Sequence, residues 1–323
     1  MNVLNFAGTL GASIKGVAAE FEKQYNVEIN WGEGTGAVNT ATVAGSVSNQ
    51  IYDAAFVDIQ SQYLGSEKGL WEKLNPDIVK TDDVYPGITA INDDAVPIGM
   101  IVTSLYYNTD VFTSEGWEPP HSFSDLLDPK YCGKVGILDI NASYGLNVVL
   151  GLGGLTAADA KSGNLDEAWE TGLKRLQDAK SCFPSIEASA AGLEQKMQTG
   201  QYVIGSTGGV RILPLIKAGV PLKAVVPDEG AFLTTSFVAP VKLAPNAKLA
   251  QELVAWFLRP DSQKTLMESA LYGPTVKTVQ VPADLVEDGV PNSETVVKFV
   301  ISDPGTTTTN RSTWTDQYQR AFG

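Results

Sequence analysis

Short alternating runs and amphipathic stretches follow one another from the start of the chain. Residues 3–6 and 27–31 alternate between apolar and polar positions as strands do, and residues 14–25 between them carry apolar side chains at helical spacing. A further apolar run at 54–57 follows a helical stretch that begins at Val38. This pattern predicts a β-α-β-α-β opening whose strands lie parallel in one sheet, with right-handed crossovers.

A second group of elements begins with residues 98–107, whose mostly apolar run predicts one long buried strand. Further strands are predicted at 135–139, 202–205, 223–226 and 232–239, and helices around Leu146 and at 165–180, 188–199 and 211–217. Near the C-terminus, Asn246 is expected to cap a helix that Pro260 ends. Another helix from Asp261 gives way to a loop at 271–275.

This order predicts an α/β protein in which the chain leaves one lobe, builds a second lobe and returns. The predicted boundaries are 1–104 with 240–290 for lobe 1, 105–239 for lobe 2, and 291–323 for a C-terminal helical extension. The threonine run at 306–309 is expected to form a surface loop. Extended apolar segments connect the lobes, and they supply the hinge candidates Thr103, Ser104, Val238 and Ala239.

Two segments resemble a known family of proteins. The C-terminal segment WFLRPDSQKTLMESALYGPT resembles the last helices and the YG-P-T loop of solute-binding proteins that serve ABC importers, especially the spermidine/putrescine-binding and γ-aminobutyrate-binding group. TSLYYNTDVF is similar to the first crossover of these proteins. The resemblance implies the type II periplasmic binding fold, with two Rossmann-like lobes joined by two crossover strands. It also implies a periplasmic monomer without a cofactor, which binds a small molecule by hinge closure and delivers it to an inner-membrane ABC permease.

Composition limits the possible partners. The 323 residues are 43% hydrophobic and carry a net charge of −14, which disfavours binding to nucleic acid or to anionic lipid surfaces. The sequence contains no apolar run of about eighteen residues, the length expected of a membrane-spanning helix. The strand-like pattern begins within a few residues of Met1, so the chain is expected to be either cytosolic or exported with its signal removed.

The two cysteines, Cys132 and Cys182, leave two alternatives open. If they are bonded, they close a loop of about 50 residues, which fits an oxidising periplasm. If they are not, they are two buried thiols that behave as small hydrophobic groups. Neither belongs to a CxxC pair, so a zinc or redox site is not expected.

Polar residues after the first three strands are the ligand-binding candidates of lobe 1, because ligands of open α/β sheets bind at the carboxyl ends of the strands. They are Thr9, Leu10, Trp31, Glu33, Thr35, Asp58 and Gln60. Asp58 is also placed to cap the helix that follows it, and this reading is favoured over a ligand role. Trp31 is expected either to form an apolar wall of the site or to end its strand in the core.

The remaining candidates lie in later loops. They are Asn141, Ser143, Tyr144, Thr207, Arg211, Phe232, Thr235 and Tyr272. Thr207 ends a strand and Arg211 lies in the helix after it, an arrangement that offers backbone N–H groups and a bidentate guanidinium to a carboxylate or phosphate. The alternative is an exposed Arg211 paired with a nearby acid.

The resemblance also bears on the ligand. Thr235 stands where polyamine-binding relatives carry an aspartate, and a buried ammonium needs such a partner. A carboxylate or a zwitterion such as γ-aminobutyrate is therefore expected, with Asp58 or Glu33 available to an ammonium group. A polyol, a sugar acid and a polyamine remain alternatives.

An enzyme and a ligand sensor are the alternative classes of protein. His121, the single histidine, lies in a predicted loop without a nucleophile or an orienting acid nearby, so no catalytic residue is assigned. Tyr106 and Tyr107 are an adjacent pair away from the position where iron-binding relatives place their tyrosines, and no metal ligands are assigned. An enzyme on the same fold, such as porphobilinogen deaminase, and a ligand sensor for a membrane receptor are the competing functions.

Overall fold

The computed structural model describes residues 1–88, 90, 92–162, 165–183, 185–296 and 299–322. The chain divides into two compact units. Unit 1 comprises Met1–Met100, Thr234–Val281 and Pro291–Ser293, and unit 2 comprises Ile101–Leu233, Pro282–Val290 and Glu294–Gly323.

Strands and helices alternate along the chain. The first are β1 (Asn2–Phe6), α1 (Thr9–Tyr25), β2 (Asn30–Gly34), α2 (Gly36–Gly45), β3 (Ala54–Asp58), α3 (Ile59–Glu67), β4 (Val96–Asn108) and α4 (Thr109–Glu115). Next come β5 (Val135–Gly136), α5 (Ser143–Leu152), α6 (Ala157–Ser162), α7 (Leu165–Asp178), α8 (Ala190–Gln198), β6 (Ile204–Gly208), α9 (Gly209–Lys217) and β7 (Leu222–Val225). The last are β8 (Phe232–Pro240), α10 (Ala247–Trp256), α11 (Pro260–Ala270), α12 (Ala283–Glu287) and α13 (Pro304–Phe322).

Unit 1 contains the parallel opening that the sequence predicts. β1 lies between β2 and β3 and is parallel to both, and β8 joins β3 from the other side in the antiparallel direction. The buried face of α1 is formed by Ile14, Val17, Ala18 and Phe21, at the predicted helical spacing. The Phe21 ring packs against Trp256 of α10, with ring centroids 5.6 Å apart, so the first and later parts of the chain share this core.

Unit 2 has its own set of paired strands and its own core. β4 pairs in the antiparallel direction with both β6 and β7, and β6 is parallel to β5. The Trp169 ring of α7 stacks on Trp314 of α13 with ring centroids 5.1 Å apart. A disulfide joins Cys132 to Cys182, whose Cα atoms are 4.4 Å apart, so the bonded alternative is the one that the structure contains.

Three local predictions were wrong. Residues 306–309 lie in the first turns of α13 and not in a loop, and Thr307 is only 2% exposed. The β-branched threonines weakened the helical signal, but Asp303 accepts a hydrogen bond from the Thr306 N–H and Pro304 occupies the first helical position. Asn246 does precede α10, but its side chain donates to the buried Asp53 carboxylate and makes no capping bond among the described residues. The strand predicted at 135–139 is only two residues long.

The four hinge candidates lie within regular strand pairs. Thr103 and Ser104 of β4 pair with Gly208 and Thr207 of β6, which places them in unit 2. Val238 and Ala239 of β8 pair with β3, which places them in unit 1. The chain passes from unit 1 to unit 2 at Met100–Ile101 and returns at Leu233–Thr234, a few residues before the predicted positions. It crosses again at Val281–Pro282, Val290–Pro291 and Ser293–Glu294, so residues 282–290, predicted for lobe 1, and most of the predicted C-terminal extension belong to unit 2. A hinge role for the four residues stays a prediction.

Candidate functional site

Two strand-to-helix junctions of unit 1 are sealed by their own side chains. The Thr35 hydroxyl accepts a hydrogen bond from the Val38 N–H at 3.3 Å, and the Asp58 carboxylate accepts one from the Ser61 N–H at 2.8 Å. The structure thus gives Asp58 the helix-capping contact that the sequence analysis favoured. We call such a junction a sealed junction.

The β1-to-α1 junction of unit 1 differs. Its N-cap residue is Gly8, with φ of 80°, and among the described residues it has no side-chain capping bond. We call a junction of this kind an open junction, because the first N–H groups of the helix are left to water or to a ligand. A Cβ atom at Gly11 would lie 1.9 Å from the Phe6 carbonyl oxygen, so the first turn of α1 is packed tightly on the end of β1.

Asn5 and Asn39 hold this end of the unit 1 sheet together, and sequence reasoning missed both. The Asn39 side chain donates to the Asn5 carbonyl at 3.0 Å and to the Phe56 carbonyl at 2.9 Å, which ties α2 to β1 and β3. The Asn5 side chain donates to the Gly11 carbonyl at 2.9 Å. The polar Asn5 inside an otherwise apolar strand was the sequence feature that could have indicated this hydrogen-bonding role.

The other unit 1 candidates have varied surroundings. Thr9 is exposed, while Leu10 and Gln60 are partly buried. Trp31 is also partly buried, with its ring 6.4 Å from that of Phe56, and Glu33 forms an ion pair with Lys15.

Two candidates of unit 1 are buried. Tyr272 is 5% exposed and its ring fills the space above Gly99, where a Cβ atom would lie 2.2 Å from Tyr272 Cδ1. Thr235 lies buried in β8.

In unit 2, both the junction before α5 and the junction between β6 and α9 are open. The N-cap residues are Ala142 for α5 and Gly208 for α9, and within the described residues neither makes a side-chain capping bond. Tyr144, in the first turn of α5, packs against the second junction, because a Cβ atom at Gly208 would lie 2.4 Å from Tyr144 Cζ. The N-termini of α5 and α9 are therefore neighbours.

Thr207 lies at the end of β6, directly before this junction. Its side chain is fully buried, and its hydroxyl has no hydrogen-bond partner in the part of the chain that the structure describes. On the adjacent strand, the Thr103 hydroxyl accepts a hydrogen bond from the Asn147 side chain of α5 at 2.9 Å. The structure therefore brings Tyr144 against Gly208, the residue after Thr207. It also adds the contact between Thr103, predicted only as a hinge residue, and Asn147, which was not predicted.

Other unit 2 candidates lie around this cluster or away from it. Asn141 is exposed, and its backbone and side-chain N–H groups both donate to the Asp139 carboxylate. Ser143 is the partly buried first residue of α5. Phe232 lies in the core, where its ring centroid is 5.7 Å from that of Phe123.

Arg211 is paired with an acid. Its Nη1 atom lies 3.5 Å from Glu194 Oε1, and the Arg211 side chain is 49% exposed. Burial raises the pKa of the Glu194 carboxyl above its ordinary value, and the charge of Arg211 opposes this shift. The contact is the one expected from the alternative reading of Arg211, although a half-exposed guanidinium retains other donors.

The residues that the structure describes contain neither a metal cluster nor a membrane-spanning helix. Among the described residues, no three His, Cys, Asp or Glu side chains are grouped so that they could hold a metal ion. None of the described helices combines the length and the apolar character needed to cross a bilayer. His121 forms an exposed contact with Asp228 at 3.2 Å.

Comparison with known proteins identifies the family. A model described as bacterial extracellular solute-binding protein matches residues 16–291, and the chain belongs to this family. The γ-aminobutyric acid-binding protein of Pseudomonas aeruginosa is 26% identical over 300 residues, which cover 91% of this chain and 82% of the relative. The spermidine/putrescine-binding periplasmic protein of Salmonella typhimurium is 26% identical over 181 residues, 56% of this chain and 49% of the relative.

Solved structures agree on the fold. The GABA receptor Atu4243 superposes with a TM-score of 0.82 at 17% identity and covers 100% of this chain and 97% of its own. The chain thus has the two-lobed α/β fold of periplasmic binding proteins, as the sequence predicted. It is a solute-binding protein of the ABC transporter type, a class that binds and delivers solutes and does not consist of enzymes.

Proposed function

We propose that this protein binds a small solute with a carboxylate group, such as γ-aminobutyrate or another short amino acid, and delivers it to a membrane permease. The observation that carries the proposal is the buried Thr207 hydroxyl beside the open junctions of α5 and α9. A buried hydroxyl without a partner costs free energy, and a ligand that bonds to it removes that cost. Helix N-termini add N–H donors and a favourable potential for an anion.

The charges near these junctions favour a carboxylate over a polyamine. Arg211 lies in the first turn of α9, where it would repel a polycation. In unit 1, Glu33 is already paired with Lys15, and Asp58 uses one carboxylate oxygen to cap α3. The second oxygen of Asp58 can accept an ammonium, which suits a zwitterion with one amino group better than a diamine or triamine.

The relatives support the same ranking. The relative that aligns over most of this chain is a γ-aminobutyric acid-binding protein, whereas the spermidine/putrescine-binding relative aligns over about half of it. Polyamine binding is the second candidate for this reason. Closure of the two units about the ligand is part of the proposal and follows the hinge mechanism of periplasmic binding proteins.

A thermal-shift screen with γ-aminobutyrate, other short amino acids, sugar acids, putrescine and spermidine tests the proposal. A ligand at about a hundred times its Kd adds roughly 2.7 kcal/mol to the free energy of unfolding and raises the midpoint by a few degrees. A carboxylate should produce this shift. A shift with polyamines alone would replace the proposal by the second candidate, and small-angle scattering with the active ligand would then test closure.

A further inference from the structure

The C-terminal helix α13 lies beyond residues 16–291, the part of the chain that the family model matches. It is held on α7 of unit 2 by the stacked rings of Trp314 and Trp169, and the Trp169 indole N–H donates to Gln317 at 2.5 Å. Asn310 adds a hydrogen bond to Asp166 at 3.0 Å. These contacts attach α13 to the unit without involving the open junctions.

Arg311 is the residue of α13 that reaches the segment before α5. Its Nη2 group donates a hydrogen bond to the carbonyl of Ile140, a buried residue. Arg311 is partly buried. Burial lowers the pKa of its guanidinium, and the negative charge of Asp139 opposes that shift.

The segment 139–142 forms a turn that leads into α5. The Asp139 carbonyl accepts a hydrogen bond from the Ala142 N–H at 3.0 Å, and the Asp139 carboxylate accepts one from the Asn141 N–H at 2.8 Å. The Ile140 carbonyl between them is bonded from outside the turn, by Arg311. One side chain of α13 therefore helps to fix the turn from which the open N-terminus of α5 begins.

We propose that Arg311 is a positioning residue of the ligand site, which sets the turn 139–142 and through it the N-terminal N–H groups of α5. The inference rests on the proposed function, because the turn affects binding only if α5 contacts the ligand. Attachment of α13 alone is a poor reason for a partly buried guanidinium, since an apolar side chain of similar size would pack there without the desolvation cost. The hydrogen bond to Ile140 supplies a reason specific to the turn.

Three variants separate positioning from attachment. Arg311→Met keeps an apolar stem and removes the donors, Arg311→Lys keeps one donor group, and Asn310→Ala removes the neighbouring contact of α13 with Asp166. For each we would measure hydrogen exchange of the amides at 139–146 without ligand, the thermal midpoint, and calorimetric affinity for γ-aminobutyrate. For Arg311→Met we expect amide exchange at 139–146 to be at least about tenfold faster and binding to be about tenfold weaker than in the wild type. Arg311→Lys should partly restore both quantities. Asn310→Ala should change neither.

The exchange measurement decides the inference separately from the proposed function. Unchanged exchange at 139–146 in Arg311→Met would overturn it, and so would faster exchange with unchanged affinity for γ-aminobutyrate. Equal effects of Asn310→Ala and Arg311→Met would also overturn it, because loosening of α13 would then explain both. If the wild-type protein does not bind γ-aminobutyrate, the proposed ligand fails, while faster exchange in Arg311→Met that Arg311→Lys restores would still support ordering of the turn by Arg311.

Discussion

Sealed and open strand-to-helix junctions occur in both units, but they are arranged differently. Unit 1 has an open junction at α1, and in unit 2 the Asn108 side chain seals the start of α4. In unit 1, Thr35 and Asp58 seal the starts of α2 and α3 with their own side chains. In unit 2, the junctions before α5 and α9 are open and lie next to each other, with the buried Thr207 hydroxyl beside them. A sealed junction stabilises the fold and needs no ligand, whereas neighbouring open junctions leave donors that a ligand can satisfy.

The largest expected effect is the loss of stability of unit 2 when its disulfide is removed. The Cys132–Cys182 disulfide closes a loop with a sequence separation of 50, and the chain-entropy model gives such a loop about 4 kcal/mol of stabilisation. The double variant Cys132→Ser/Cys182→Ser should therefore unfold at a clearly lower urea concentration than the wild type. Reductant should lower the wild-type midpoint and leave that of the variant unchanged. Equal midpoints for both proteins would show that unit 2 does not depend on this bond.

Thr207→Val tests the open junction directly, and its two expected effects have opposite signs. Valine fits the strand and removes a hydroxyl whose burial without a partner costs roughly 1–3 kcal/mol, so the ligand-free protein should become more stable. The same change should weaken binding of the active carboxylate about tenfold or more. Denaturant unfolding without ligand and calorimetry with it measure the two quantities.

Thr235→Val is a companion to this change, because Thr235 is itself a ligand-binding candidate. Thr235 is also a buried strand threonine, in β8 of unit 1, but its hydroxyl is not among the buried groups without a partner in the described residues. Equal losses of affinity in both variants would remove the special role of Thr207. A less stable Thr207→Val protein would mean that the hydroxyl is already satisfied without ligand.

Substitutions of Asp58 test the sealed junction at the start of α3. Asp58→Ala removes the cap of α3 and should cost about 1 kcal/mol of stability, whereas Asp58→Asn keeps a capping oxygen and should cost much less. If Asp58 also receives the ammonium of a zwitterion, Asp58→Asn should weaken binding while stability is kept. Paired unfolding and binding measurements on both variants distinguish these roles. Full stability of Asp58→Ala would show that the junction is not sealed by this residue.

The elements of the fold were largely predictable from the sequence, and the site was only partly so. Helical spacing located α1, and continuous apolar runs located β3 and β4, because their apolar positions face a core. Neither pattern could distinguish a sealed junction from an open one. Thr35 is the N-cap residue of α2 and accepts a hydrogen bond from the Val38 N–H, whereas Thr207 lies in β6 one residue before the N-cap of α9. Asn147 and Arg311 act across large sequence separations, and no local pattern marks such contacts.

Glu194 is expected to give the smallest effect, one that depends on pH. Burial raises the pKa of Glu194 in the folded protein, so its contribution to stability is fully present below the ordinary glutamate pKa and is lost as pH rises through the raised value. Glu194→Gln cannot ionise and should be slightly more stable than the wild type at pH 7.5, and the difference should disappear near pH 4.

Glu187 provides the matched control of opposite sign for this prediction. Burial alone would raise its pKa, but hydrogen bonds from Lys196, Tyr202 and Ser185 lower it below the ordinary value. Glu187→Gln should therefore be less stable than the wild type at pH 7.5, with a smaller difference in acid. Thermal midpoints at both pH values measure the two signs. If Glu194→Gln also proved less stable at pH 7.5, the ion pair with Arg211 would contribute more to stability than burial of the Glu194 carboxylate costs.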